Sequence, residues 1–334
     1  MNPPPVPAPS RRTPGVRART LPVMGIPVRF ETDAPEVMAA VDDAFGAWRG
    51  AAVDDAWAAA DAVRVRIRLH PDGADGHAPL HQRWAGDRMR VRAGASRGVA
   101  DLRRRRAVVR VAPGLVRDRA RFREGVLEAL TLWMLTALDR QPLHAAALER
   151  DGRVLLLAGP SGVGKSTLVY AALRAGLRAG LRVLTEDCAF LQSGALLEGG
   201  TGPRVWGMPG RVHLLPDAVR WFPELADAVP VLRANGKTKI AIDLRAAGAA
   251  APPRGVERVG ICLLARGVMP AVEMLPPHAI EAGLTAQLEP GFHRFAATIG
   301  DPIRRLAARG GWRLTLPASP HAAIPLLHRM FDEL

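Results

Sequence analysis

The sequence predicts an α/β fold, preceded by a smaller α+β unit, and three observations carry that expectation. Strand-like and helix-like segments alternate through the second half of the chain. A glycine-rich loop, Gly159–Thr167, lies between a buried apolar run and an amphipathic stretch. The first half shows period-two alternation, as in Val63–Leu69 (VRVRIRL), ahead of an apolar helical stretch around Phe122–Leu138.

Taken in order, residues 1–20 are rich in Pro and Arg and read as a disordered tail. Residues 21–140 read as the α+β domain, with strands at Val63–Leu69 and Ala107–Val111, the helix at Phe122–Leu138, and a loop over Ala74–Ser96. Residues 141–334 read as the nucleotide-binding domain. Leu143–Leu148 and Val154–Leu157 are expected to form a hairpin about the turn Asp151-Gly152. A helix follows from Lys165 to about Arg174, and a strand, Leu181–Leu184, ends at Thr185-Glu186-Asp187. Asn235-Gly236 marks a second hairpin, Val256–Ala265 and Ala271–Leu275 read as strands, and helices at Ile303–Arg309 and Ala322–Glu333 bracket a strand at Trp312–Leu316.

Composition narrows the function classes. The chain has 334 residues, 48% of them hydrophobic, which suffices for about two domains. No apolar stretch reaches the roughly 18 residues of a membrane helix, and the N-terminal segment lacks the apolar run of a signal peptide. Cys188 and Cys262 are far apart and form no metal spacing, so a reducing cytoplasm is the expected location. The net charge of +14 comes from 46 basic residues, of which three are Lys. Scattered Arg with no nucleic-acid motif makes nucleic acid an unexpected partner, although Arg103–Arg106 can hold an acidic one. Scarcity makes the lysines informative: Lys165, Lys237 and Lys239 mark places where a compact ammonium is preferred to a planar fork.

The loop Gly159-Pro-Ser161-Gly162-Val163-Gly164-Lys165-Ser166-Thr167 satisfies G-x-x-x-x-G-K-[ST] between a strand and a helix. Its backbone amides are expected to cradle phosphate oxygens at the helix N-terminus. Lys165 would reach the β- and γ-phosphates, and Ser166 would offer its hydroxyl to Mg²⁺. ATP and Mg²⁺ are therefore the expected cofactors. The hairpin would bring His144 beside the loop, and the strand ending at Thr185 would deliver Glu186 and Asp187 to the same edge. The remaining histidines, His213 among them, show no ligand spacing and read as surface or core residues. Lys237 and Lys239 fall on one face of a strand, where they can contact a phosphate or the acceptor.

The stretch from His144 to Asp187 resembles the HPr kinase/phosphorylase family, whose core is shared with ATP-dependent phosphoenolpyruvate carboxykinase. The resemblance implies a P-loop kinase core and transfer of a γ-phosphate to a serine hydroxyl of a peptide or small protein. By position it makes Glu186 the base, His144 its assistant, and Asp187 with Ser166 the metal holders. Glu186 stands where the family has Asp, and a second LRAG copy, within Leu173–Gly180, adds four residues between Lys165 and the acidic pair. The segments Val205–Leu214 and Asn235–Lys239 are more similar to divergent members, some from peptide-modification clusters. Homo-oligomers occur in the family. A small-molecule hydroxyl kinase on the same core and a non-catalytic nucleotide sensor are the competing readings.

Overall fold

The computed structural model describes residues 15–54, 57, 63–70, 78–193, 203–233, 236–288 and 296–334. The chain opens with β1 (Arg17–Val23) and β2 (Ile26–Thr32), followed by α1 (Pro35–Phe45). Next come β3 (Val63–Leu69), β4 (Leu80–Ala85), β5 (Arg88–Ala93), β6 (Ser96–Asp101) and β7 (Arg106–Val111). These seven strands form one sheet in the order β1-β2-β3-β7-β6-β5-β4. Its inward positions are mostly apolar and its outward ones mostly polar, Val99 and Val108 excepted, the alternation of a sheet with one wet face. Helices α2 (Pro113–Arg117), α3 (Arg119–Phe122) and α4 (Ala129–Thr136) follow, with a π-helical stretch at Arg123–Glu128 running into α4. Leu130, Trp133 and Met134 on α4 are buried in the same core as Phe30 and Val65.

Two expectations for this half change. Arg17–Thr20 belong to β1, paired with β2 through the register Arg17↔Thr32, so the predicted tail is shorter; residues 1–14 of it lie outside the described residues. The predicted loop Ala74–Ser96 contains β4 and β5, because Gly86-Asp87 and Gly94-Ala95 close two tight hairpins there.

After α4 the chain builds a six-stranded mixed sheet and a three-stranded one. The expected strand Leu143–Leu148 is broken at His144, where the chain leaves β8 (Gln141–Leu143) and enters β9 (Ala145–Arg150). β8 belongs to the small sheet β13-β12-β8 and β9 to the large sheet β11-β9-β10-β17-β19-β18. β9 pairs antiparallel with β10 (Arg153–Ala158) around Asp151 and Gly152, both of which have positive φ. The remaining elements are α5 (Lys165–Gly176), β11 (Arg182–Thr185), β12 (Ala189–Gln192), β13 (Arg204–Trp206), β14 (Arg211–Leu214), β15 (Val231–Leu232) and β16 (Thr238–Asp243). They are followed by β17 (Arg258–Arg266), β18 (Ala271–Leu275), α6 (Pro277–Thr285), α7 (Ala296–Ala307), β19 (Gly311–Leu316) and α8 (Ile324–Glu333). Asn235, one residue of the predicted hairpin turn, lies outside the described residues, while β15 and β16 on either side pair antiparallel.

The large sheet is covered on both faces. Leu168 and Val169 of α5 and Leu327 and Phe331 of α8 pack on one side; Ile280 and Leu284 of α6 and Ile303 of α7 pack on the other. Both faces are dry, so β10 reads as a continuous apolar run, LLLA, and not as an alternating one. Among the described residues no helix is long and apolar enough to cross a membrane.

Candidate functional site

β9 runs opposite to β10 and β11 pairs antiparallel to β9, so β10 and β11 end at one edge of the sheet. Three features meet there: the Gly159–Gly164 loop after β10, His144 before β9, and Glu186-Asp187 after β11.

The loop has the backbone that its glycines permit. Gly162 has φ 83 and Gly164 φ 107, conformations that an L side chain rarely adopts. A Cβ on Gly164 would also lie 2.7 Å from a guanidinium nitrogen of Arg266, at the end of β17. Val163, 5% exposed, is buried in the core and pins the loop from below, whereas Ser161 and Gly162 face outward. α5 begins at Lys165, with its first turn closed by the amide of Leu168 donating to the carbonyl of Gly164. Lys165 is buried, and its Nζ donates to the carbonyls of Gly159 at 2.6 Å and Pro160 at 3.3 Å. A concave loop of this kind, with a helix N-terminus behind it and an ammonium across it, suits a phosphate chain.

The two acids after β11 go to different places. Glu186 is 4% exposed and turns in beneath the loop, where Ser166 Oγ donates to its Oε1 at 2.5 Å. Its other oxygen, Oε2, lies 3.2 Å from His213 Nδ1. Burial works against the charge of Glu186. The hydrogen bonds from His213 and Ser166, with the electrostatic pull of His213 and Lys239, more than offset it and hold its carboxyl below the ordinary value. Asp187 turns outward: its side chain is 56% exposed, and its Oδ1 lies 3.7 Å from His144 Nδ1. His144 is held at the strand break by its backbone amide, which donates to the carbonyl of Gln287 at 3.0 Å.

The structure therefore brings His144, Lys165, Ser166, Glu186 and Asp187 to one edge. Of the two scarce lysines on β16 and its approach, Lys239 is half-buried and acts electrostatically on Glu186, while Lys237 is exposed. Sequence reasoning missed two residues. His213 is carried in by β14, which pairs with β16 through His213↔Ala241; a histidine set inside the apolar run Val212–Leu214 was the available signal. Arg266 reaches the loop from the end of β17, and its NH1 donates to the carbonyl of Pro317 at 3.1 Å.

A cleft of about 320 Å³ opens beside the acidic pair, and both halves of the chain wall it. Trp48, Leu132, Phe190 and Met208 supply apolar lining, and Glu186, Asp187 and His213 line it too. Part of its rim is a charge network: Asp43 accepts from Arg211 at 2.8 Å, and Glu124 accepts from Arg123 and Arg233, each at 2.9 Å. Glu128 belongs to the same rim, and burial pushes its carboxyl up to about 7 against the pull of Arg123.

Magnesium in such a site takes a hydroxyl, a carboxylate and phosphate oxygens, without a cage of protein ligands. Ser166 with Glu186 would provide the first two. Among the described residues no group of three His, Cys, Asp or Glu is placed to hold a metal by itself.

No protein-family model matches the chain, and no curated protein matches it. Among solved structures, the Hpr(Ser) kinase/phosphatase from Coxiella burnetii is similar over 58% of this chain and 100% of that one, at 14% identity and a TM-score of 0.27. A likeness that loose carries no argument about what this chain does, and the functional reading rests on the site itself.

Proposed function

We propose that the chain is an ATP- and Mg²⁺-dependent phosphotransferase acting on a serine hydroxyl of a peptide or small protein. The supporting observation is the division of labour between neighbouring carboxylates: Glu186 is tied to Ser166 under the loop, and Asp187 stands with His144 on the open side. Phosphoryl transfer needs one carboxylate near the cation and another near the acceptor proton. This placement favours an exchange of the roles that sequence position assigns. Glu186, kept ionised by His213 and Ser166, holds the metal side. Asp187, with His144, accepts the hydroxyl proton.

When bound, MgATP supplies the transferable phosphoryl group and the cation that neutralises its charge. The residues of the chain orient it and balance charge. The loop amides from Gly159 to Gly164 hold the phosphates, Lys165 exchanges its carbonyl partners for phosphate oxygens, and Arg266 adds a second cation beside Gly164. His213 fixes the free oxygen of Glu186, so that carboxylate does not rotate toward the acceptor. The acceptor hydroxyl enters through the cleft, whose apolar side packs the chain that carries it. The small cleft volume also suits a free hydroxy metabolite, which is the second reading.

Phosphate transfer from γ-labelled ATP, measured as Mg²⁺ is varied, tests the assignment. Glu186→Gln is expected to raise the Mg²⁺ concentration required. Asp187→Asn is expected to leave nucleotide affinity intact and lower kcat by about 10²–10⁴, the usual contribution of a positioned base. Lys165→Ala should abolish transfer in both backgrounds. The reverse pattern, with Asp187 governing the metal and Glu186 the rate, would restore the family assignment and sink this one. Label on a metabolite and none on any peptide would select the second reading.

A further inference from the structure

The arginines that look scattered along the sequence are gathered by the fold onto one surface. In the seven-stranded sheet the register sets Arg68 on β3 opposite Arg110 on β7, Arg110 opposite Arg97 on β6, and Arg97 opposite Arg92 on β5. His81 on β4 extends this row past Arg92. All four arginines are exposed, and among the described residues none pairs with a carboxylate. A parallel row, two residues along, runs from Arg83 through Arg90, Val99 and Val108 to Arg66. The third row carries Arg88, Arg106 and Arg64, with Asp101 between the first two. Glu31 is tied to Arg29 and Arg66, and Asp101 accepts from Arg88, so the two acids of this face are already engaged.

Neighbouring strands lie about 4.8 Å apart, and like charges directly opposite one another destabilise a sheet. A row of four arginines at that spacing is therefore a standing repulsion in the free protein. An anion with regularly spaced charges relieves it. Composition alone does not produce this arrangement, because the acids of the chain are almost excluded from the same face.

We propose that the outward face of the seven-stranded sheet binds the phosphate backbone of double-stranded nucleic acid without reading its sequence. Arg matches phosphate through its planar fork. A protein partner would need an apolar patch to bury, and a bilayer would need side chains that enter the headgroup boundary. Among the described residues the large apolar side chains that this face offers for either are Val99 and Val108. Single strands are gripped by stacking on aromatic rings, and among the described outward positions of the sheet there is no Phe, Tyr or Trp. Trp84, 41% exposed on edge strand β4, leaves the sheet on the other side from the arginine rows, opposite Met89, and a single ring there gives no run of stacking platforms. What remains is a duplex held by charge.

The test uses the full chain and a labelled duplex of random sequence, about 30 base pairs long, with binding followed by fluorescence anisotropy between roughly 50 and 200 mM salt. The expected affinity is that of non-specific binding, a Kd of about 10⁻⁶–10⁻⁴ M, falling steeply with salt. The triple variant Arg92→Gln, Arg97→Gln, Arg110→Gln should weaken binding at least about ten-fold and flatten the salt slope by about 0.9 for each phosphate contact removed. Its unfolding midpoint should hold or rise, since the repulsion is gone. A second triple variant, Arg304→Gln, Arg309→Gln, Arg329→Gln, removes equal charge away from the sheet and should leave affinity unchanged. Equal losses in both triples would reduce the effect to net charge and overturn the proposal. Binding to phosphatidylserine vesicles or to poly-glutamate with none to the duplex would overturn the partner class.

Discussion

Two glutamates of the site are displaced in opposite directions, and stability should show both. Glu186 is held below its ordinary value, so its contribution is present above the unfolded-state pKa and is lost as pH falls through the folded one. Glu186→Gln should therefore cost stability at neutral pH, and the difference from the parent should close under acid. Glu128 is the reverse case: its carboxyl is raised from the ordinary 4.5 to about 7 by burial. The folded chain prefers the protonated form, so stability present at pH 4.5 declines as pH rises toward 7. Glu128→Gln should change little near pH 5 and stabilise near pH 8, by at most about 3 kcal/mol at about 1.4 kcal/mol per pKa unit. The 25% exposure of its side chain sets the outcome below that limit. Urea midpoints at the two pH values, for each variant and the parent, check both signs. The course of the glycine loop, from β10 into α5, was legible in the sequence because its glycines and lysine are adjacent. The direction of each acid was not, because the pairing of β11 shifts register between Val183 and Thr185 and the period-two rule cannot be carried past that irregularity to Glu186 and Asp187.

Among the elements, those with a strong local signal were read correctly. The hairpin of β9 and β10 follows from Asp151-Gly152, β17 from the apolar run Val259–Ala265, and β19 from the alternation of Trp312, Leu314 and Leu316 with Arg313 and Thr315. The missed strands β4 and β5 carry Gly-first turns, at Gly86 (φ 53) and Gly94 (φ 55), of the kind that close two-residue hairpins. Their outward arginines made the segment look like a polar loop, although Met89, Val91 and Ala93 alternate with them and are buried. The crossing that seats the cleft wall depends on another glycine. Gly207, just after β13, lies so close to β11 that a Cβ there would come 2.2 Å from the carbonyl oxygen of Leu184, two residues before Glu186. Both contacting atoms are held by backbone, so a side chain at 207 must displace one element. Gly207→Ala is expected to destabilise by about 1–3 kcal/mol, as overpacking does. It should also weaken the Ser166–Glu186 contact, seen as a higher Mg²⁺ requirement. An unchanged urea midpoint would show that the Met208–Arg211 segment yields freely.

At the scale of the molecule, both halves of the chain line the cleft, and a buried polar network joins them. Arg140, fully buried where α4 gives way to β8, donates through Nε to the carbonyl of Met24 at 2.9 Å and through NH2 to Asp54 at 3.0 Å. Gln192 of β12 donates to the same Asp54 oxygen at 2.8 Å and accepts from Trp206 Nε1 at 2.8 Å. The guanidinium also lies 5.0 Å from the Trp206 ring centre. Burial lowers the pKa of Arg140 to about 10, opposed chiefly by Asp54, so the cation is retained because that carboxylate is present. Removing it strands a buried charge, which costs about 3–5 kcal/mol where a partner of this kind is deleted. Asp54→Ala should lower the unfolding midpoint accordingly, and Asp54→Asn, which keeps one acceptor, should lower it less. The functional consequence is selective. On the proposed reading the glycine loop and α5, which lie within the second half, should keep their ATP affinity, while the cleft, lined by Asp43 and Trp48 from the first half and by Met208 and Arg211 from the second, should loosen. The acceptor KM should rise with nucleotide binding unchanged. Equal loss of both would mean that the seam supports the loop itself, and that the two halves fold as a single cooperative unit.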